Sequence, residues 1–170
     1  MTHRHPCSTP AVSSADLPDH PAEAFLRSME VRYHRCPEDS DVLRFSFGFP
    51  AGSARGILQR HDLQHLMMFR ISLPQSPIHT RAAHQTARLC AFLNGNLPVG
   101  QFCFDELDRE TSFRSGHFYE ASGLQSASFG LFFGHCMSSV AHAMPAFTLV
   151  TSGQGDAGAG LALVMPPSGS

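Results

Sequence analysis

A helix end, a strand, a turn and a second strand follow one another between residues 89 and 118, and this stretch constrains the fold most. Asn94-Gly95-Asn96 and then Pro98 end an apolar-periodic helix, because Gly or Asn adopts the left-handed cap and proline cannot continue a helix. Apolar and polar residues alternate from Val99 to Glu106 and again from Glu110 to Ser115, with a turn at residues 107 to 109. Such alternation is typical of half-buried strands. The stretch therefore predicts a helix that runs directly into a β-hairpin.

Helical periodicity and strand alternation also predict the other helices and strands. We expect a helix from Pro21 to Met29, strands over Val31–Cys36, Asp41–Phe49 and Leu66–Leu73, a helix from Ile78 to Leu93, and a last helix from Leu124 that Pro145 ends or kinks. Residues 50 to 62 are rich in Gly and Arg, and we predict a mobile loop there. The resulting order, α-β-β-β-α-β-β-α, predicts an α+β fold in which an antiparallel sheet is packed by helices.

Composition divides the 170 residues into one domain and two tails. Residues 1 to 20 are polar and proline-rich, so we predict a disordered arm that cannot bury enough apolar surface to offset the entropy of ordering. Residues 21 to 150 form the predicted domain. From residue 151 to 170 the chain is mainly Gly, Ala, Ser and Pro, which predicts a flexible tail in which only Leu161 to Met165 has the apolar residues to dock. No apolar run approaches the roughly 20 residues of a membrane span, and the start lacks a secretory signal, so we expect no membrane association.

Five cysteines occur at positions 7, 36, 90, 103 and 136. An odd number without CxxC spacing does not fit a disulfide framework. We therefore expect free thiols in a reducing cytoplasm.

No motif in the sequence carries recognisable catalytic or cofactor chemistry. The phosphate-binding GxxxxGK[ST] loop, the GxGxxG turn, HExxH and GxSxG are all missing. His3, His5 and Cys7 could take up a transition metal, but they lie in the polar arm, where no rigid surroundings would hold a site. Cys136 shares a predicted helix with His135 and His142, yet it lies on the phenylalanine-rich face and is expected in the core. We predict no catalytic residue, no cofactor and no metal.

Charge argues against a nucleic-acid partner. The formal net charge is -2, and all 12 basic residues are arginines. Arginines in the first third of the chain lack interleaved aromatic residues, so a nucleic-acid surface is not expected. The acidic residues between Asp105 and Glu110 are read as a solvated hairpin turn.

One face of the predicted sheet is the candidate partner surface. If Phe45, Met67, Phe69, Phe102 and Phe113 face the helices, strand alternation sends their neighbours outward. The candidate residues on that outward face are Arg44, Leu66, Met68, Val99 and Cys103. Clustered exposed apolar groups often mark partner surfaces, and methionine suits adaptable contacts. The alternative is that single exposed apolar residues are ordinary.

The segment around the hairpin resembles the YbjN family of bacterial proteins. The matching features are Asn94 in the turn after the helix, Gly100 with Phe102 and Phe104 in the first strand, Asp105 and Asp108 in the acidic turn, and Arg114 in the second strand. The family is similar in fold to type III secretion chaperones. The resemblance implies a non-enzymatic, dimeric protein that binds other proteins in a regulatory or chaperone-like role, and it brings no catalytic residues.

Two classes of function follow from the sequence. The first is a protein-binding module with the secretion-chaperone-like fold, which the missing motifs favour. The second is an enzyme or metal-binding protein that uses Cys and His residues, which a metal bound to the purified protein would favour.

Overall fold

The computed structural model describes residues 20–50, 52–74, 78 and 80–165. Four helices are α1 (Glu23–Ser28), α2 (Thr80–Asn94), α3 (Ser126–Thr151) and α4 (Ala157–Val164). Six strands are β1 (Tyr33–Cys36), β2 (Asp39–Phe49), β3 (Gly52–His61), β4 (Leu66–Ser72), β5 (Gln101–Asp105) and β6 (Glu110–Phe118), and a single 3-10 turn (Asp62–Gln64) joins β3 to β4. The predicted arm lies outside the described residues except for His20.

The six strands form one antiparallel sheet in the order β1-β2-β3-β4-β6-β5. One face of this sheet packs against the helices and forms the core, as the alternation of β4 illustrates: Met67, Phe69 and Ile71 are buried, while the residues between them are half-buried. The predicted α+β fold, an antiparallel sheet packed by helices, is therefore confirmed.

Phenylalanine rings connect the sheet to the helices. Phe69 of β4 lies 5.4 Å from Phe133 of α3, measured between ring centroids, and Phe25 of α1 lies 5.1 Å from Phe129 of α3. Both pairs have the edge-to-face geometry that the ring quadrupole favours. These contacts fix α1 and α3 on the same face of the sheet.

The predicted loop over residues 50 to 62 is wrong, because most of it is strand β3. Ala54, Gly56 and Leu58 face the core and are buried. A Cβ atom added to Gly56 would come within 1.9 Å of the Phe45 ring, so that ring occupies the space that a side chain at position 56 would need. The Gly and Arg content that predicts a loop thus belongs to a strand with one glycine under a neighbouring ring, Arg55 on the outer side and Arg60 in an ion pair with Asp41 near the strand end.

The C-terminal segment also differs from the prediction. Helix α3 continues through Pro145 to Thr151. Ala141, whose carbonyl loses its helical partner at the proline, is an exposed residue, so the proline lies on the exposed side of the helix. Residues 157–164, predicted to be flexible tail, form α4. Gly160 allows this close packing, since an added Cβ would lie 3.0 Å from Val150 of α3. The Asp156 side chain caps the helix by accepting a hydrogen bond from the backbone N–H of Ala159 at 2.8 Å.

His20 belongs to the predicted disordered arm, but it is buried at the start of the domain. Its ring Nε2 lies 3.2 Å from the Asp41 carbonyl oxygen, and its Nδ1 accepts a hydrogen bond from the Ala22 N–H at 3.3 Å. The ordered domain therefore begins no later than His20.

Candidate functional site

The sheet face opposite the core, called the outer face below, is the most distinctive surface of the described chain. Most of its side chains are half-buried or exposed, the exceptions being Val42 and Ser112. Strand pairing arranges these side chains in rows that cross the sheet, because residues paired across neighbouring strands project to the same side.

The central row brings three arginines together. Arg44 pairs with Ile57, Ile57 with Arg70, Arg70 with Arg114, and Arg114 with Gln101. This set of five residues on β2, β3, β4, β6 and β5 is called the arginine row. The next row on one side contains Arg55, Ser72, Ser112 and Cys103, and the next row on the other side contains Gln59, Met68 and Gly116.

Arg70 and Arg114 are direct cross-strand neighbours of like charge. Such a pair destabilises a sheet. Glu110 offsets one of the two charges: it accepts a hydrogen bond from Arg70 Nη2 at 3.1 Å and another from the Ser72 hydroxyl. Arg114 Nε donates to the Ser112 hydroxyl at 3.3 Å, which supplies no negative charge. Nε of Arg70 is buried and has no hydrogen-bond partner in the part of the chain that the structure describes.

Two shallow depressions meet at Met68 and Arg114. One has a volume of about 240 Å³ and is lined by Ile57, Gln59, His61, Met68, Arg70 and Arg114. The other has a volume of about 560 Å³ and extends from Met68 and Arg114 to Val99 and Gln101. Gly116 lines the larger of the two, and a Cβ there would come within 3.1 Å of Leu66 and 3.4 Å of the Met68 sulfur. The missing side chain at position 116 thus leaves room for an extended groove.

The candidate partner residues lie on the outer face, but they differ in exposure and belong to different rows. Arg44 belongs to the arginine row and is exposed, whereas Met68 and Leu66 are half-buried on β4. Val99 precedes β5 and shares a depression with Met68, while Cys103 lies on β5 in the row of Ser112. Met68 and Val99 are brought together, but Arg44 and Cys103 do not line that depression.

The sequence-based selection missed Ile57 and Arg114, which occupy the centre of the outer face. Ile57 is absent from the predicted set because the composition of its strand predicts a loop. The orientation of Arg114 can be predicted from the sequence, because it follows the core residue Phe113 in an alternating strand and must therefore point away from the core.

Two cysteines are held as thiols, and the described residues contain no cluster of metal-binding side chains. Burial raises the pKa of the Cys90 thiol and of the Cys136 thiol, each to about 12, so both thiols are protonated at neutral pH and poor nucleophiles. Among the described residues no group of three or more His, Cys, Asp or Glu side chains has the arrangement to hold a metal ion. His3, His5 and Cys7 lie outside those residues. No described helix is long and apolar enough to cross a membrane.

Comparison with known proteins identifies the fold. No protein-family model and no curated protein matches the sequence. A crystal structure of YbjN from E. coli, described as a candidate transcription regulator, has a similar fold with a TM-score of 0.52. The similarity covers 77% of this chain and 87% of the YbjN chain at 10% sequence identity. The chain therefore has a YbjN-like fold, in agreement with the resemblance of the hairpin segment.

Proposed function

We propose that this chain with the YbjN-like fold is a non-enzymatic protein-binding module with a regulatory or chaperone-like role, and that the partner binds to the outer face of the sheet. The observation that carries the proposal is the groove over Met68 and Arg114, a half-buried apolar and cationic strip on a face that the described helices leave uncovered. Strips of this kind often mark protein-interaction surfaces.

The composition of the strip also supports a protein partner. Interfaces are enriched in methionine and arginine and depleted in lysine. Met68 and Ile57 supply apolar area, and Arg70 and Arg114 supply directional donors beside them. The buried, protonated thiols of Cys90 and Cys136 support a non-enzymatic role, because they are not poised for nucleophilic chemistry.

We further propose a cytoplasmic homodimer. The dimer is an expectation from the YbjN resemblance, and the free cysteines at positions 36, 90, 103 and 136 support a reducing compartment. Size-exclusion chromatography with light scattering tests the dimer, which should have twice the 18.5 kDa mass of the chain.

Affinity capture from the source cell tests the proposed surface. The bait proteins are the wild type, Met68→Asp and, as a control, Leu63→Asp, which changes a fully exposed leucine in the turn between β3 and β4. A charge at position 68 would lie beside Arg70 and Arg114 and occupy the groove. We expect at least one protein to be captured by the wild type and by Leu63→Asp but not by Met68→Asp. Equal capture by all three baits would contradict the proposed surface.

A further inference from the structure

We propose that the outer face binds an extended, carboxylate-rich segment of a partner protein, and that the arginine row contacts its carboxylates. This inference rests on the proposed function and adds the chemical class of the partner. It begins from the unfavourable pairing of Arg70 with Arg114, which an anionic ligand between the two guanidinium groups would convert into a favourable arrangement.

The arginine row carries three positive charges and no acidic side chain, and Arg55 lies in the next row. The acidic side chains near these four arginines are Glu110 and Asp105, which face each other across the end of β5 and β6, Asp108, which lines a depression together with Arg55, and Glu38, which interacts with the charge of Arg44. Asp105 already accepts hydrogen bonds from the backbone N–H groups of Leu107 and Asp108. The formal net charge of the chain is -2. The positive centre of the face therefore attracts an acidic segment locally, although the chain as a whole is slightly acidic.

The spacing of the row suits an extended polypeptide. Arg44 and Arg114 are separated by three strand spacings, which is about 14 Å at about 4.8 Å per spacing. An extended chain advances about 3.3 Å per residue, so about four residues span the row. Successive side chains of such a segment point to opposite sides, so a carboxylate at every second position lets all the carboxylates face the arginines.

The side chains of the arginine row favour a peptide over single-stranded nucleic acid. Proteins that bind single strands stack bases on aromatic side chains. The arginine row and the two rows beside it contain, on β3, β4 and β6, no aromatic residue among the described positions. A second copy of the chain is also disfavoured as the occupant, because a two-fold pairing of this face would bring arginines against arginines.

Fluorescence anisotropy with a labelled peptide of alternating glutamate and leucine tests the inference on the full chain. The same peptide with glutamine in place of glutamate and a labelled oligo-dT strand serve as comparison ligands. The variant Arg44→Gln/Arg114→Gln removes two charges from the row and leaves the Arg70–Glu110 contact in place. Its matched control is Arg27→Gln/Arg88→Gln, which removes two charges from exposed positions on α1 and α2.

We expect the glutamate peptide to bind the wild type and the control variant equally, and to bind Arg44→Gln/Arg114→Gln at least about tenfold more weakly. The glutamine peptide should not bind, and affinity should fall with added salt. Equal binding by both variants, tighter binding of oligo-dT than of the peptide, or no peptide binding to the wild type would each overturn the inference. If the glutamate peptide does not bind while affinity capture still distinguishes Met68→Asp from Leu63→Asp, the proposed protein-binding surface is retained. Only the inference that the partner segment is acidic is then rejected.

Discussion

The side-chain amide of Asn94 binds both backbone polar groups of Phe102. Asn94 Nδ2 donates to the Phe102 carbonyl oxygen at 2.9 Å, and the Phe102 N–H donates to Asn94 Oδ1 at 2.7 Å. Phe102 lies on β5, an edge strand of the sheet, and Asn94 is the last residue of α2. One side chain thus takes the place of a missing neighbouring strand and ties the helix to the hairpin. Satisfying an edge in this way also opposes pairing with another chain.

Asn94→Ala should therefore destabilise the protein by about 1 to 3 kcal/mol, because it leaves a donor and an acceptor on Phe102 without partners. Urea unfolding measures the change in the free energy of unfolding. The matched control is Asn96→Ala, two residues away, whose exposed amide donates only to the Phe92 carbonyl oxygen at 3.1 Å. A loss at Asn94 no larger than the loss at Asn96 would contradict the bridging role.

The hairpin segment was predictable because its signals are local. Asn94, Gly100 and the alternation around Phe102 are readable within a few residues. At Gly100, for example, φ is +79° and a Cβ would come within 2.4 Å of the Phe113 ring, so a glycine is required there. Strand β3 and helix α4 depend instead on distant partners, Phe45 over Gly56 and Val150 against Gly160, which no local pattern indicates.

The outer face was predictable only in part, because its arrangement also depends on residues far apart in the chain. Alternation alone assigns Arg44, Arg70 and Arg114 to one side of the sheet. That the three arginines lie in a single row depends on the register of three strand pairs and on β3, whose composition predicts a loop. Register is a property of the assembled sheet, and so the like-charge pair of Arg70 and Arg114 could not be found from spacing along the chain.

A buried ion pair fastens α1 to β1. Glu23 accepts hydrogen bonds from Nε of Arg35 and, at 3.0 Å, from its Nη2, and the Glu23 side chain is only 5% exposed. The hydrogen bonds from Arg35 hold the pKa of Glu23 below its usual value. Arg35→Met should cost about 3 kcal/mol, the low end for a broken buried ion pair, because it leaves the buried carboxylate with the exposed Arg27, 3.6 Å away, as its remaining ionic partner. Adding Glu23→Gln to that variant should recover part of the lost stability, because it removes the buried charge. Thermal unfolding of Arg35→Met and of Arg35→Met/Glu23→Gln measures the recovery, and equal melting temperatures would contradict the role of the ion pair.

His20 should make stability depend on pH in the mildly acidic range. Burial lowers the pKa of His20 from 6.5 to about 4. Its Nδ1 accepts the Ala22 N–H, so the proton of the neutral ring is on Nε2, and protonating Nδ1 would break that bond. As the pH falls, the unfolded chain takes up this proton before the folded chain does. The stabilisation by neutral His20 is therefore complete above pH 6.5 and is lost as the pH falls toward 4, by roughly 3 kcal/mol in total.

The variant His20→Gln isolates this contribution. Urea unfolding of the wild type and the variant at intervals between pH 4 and pH 7 gives the difference in their free energies of unfolding. We expect that difference to shrink as the pH falls, because only the wild type loses the histidine contribution. Parallel pH profiles for the two proteins would show that His20 is not held neutral by the fold.

Thermal unfolding of two neighbouring variants, Met67→Asp and Met68→Asp, tests most directly whether one face of the sheet is core and the other is open to a partner. Met67 is fully buried among the core rings, whereas Met68 lines the groove of the outer face. Met67→Asp should abolish the cooperative transition, because an unpaired buried carboxylate is very costly. Met68→Asp should melt within a few degrees of the wild type, because its charge meets solvent and two arginines. If Met68→Asp fails to fold while Met67→Asp melts normally, the assignment of the two faces is wrong and the proposed partner surface is lost with it.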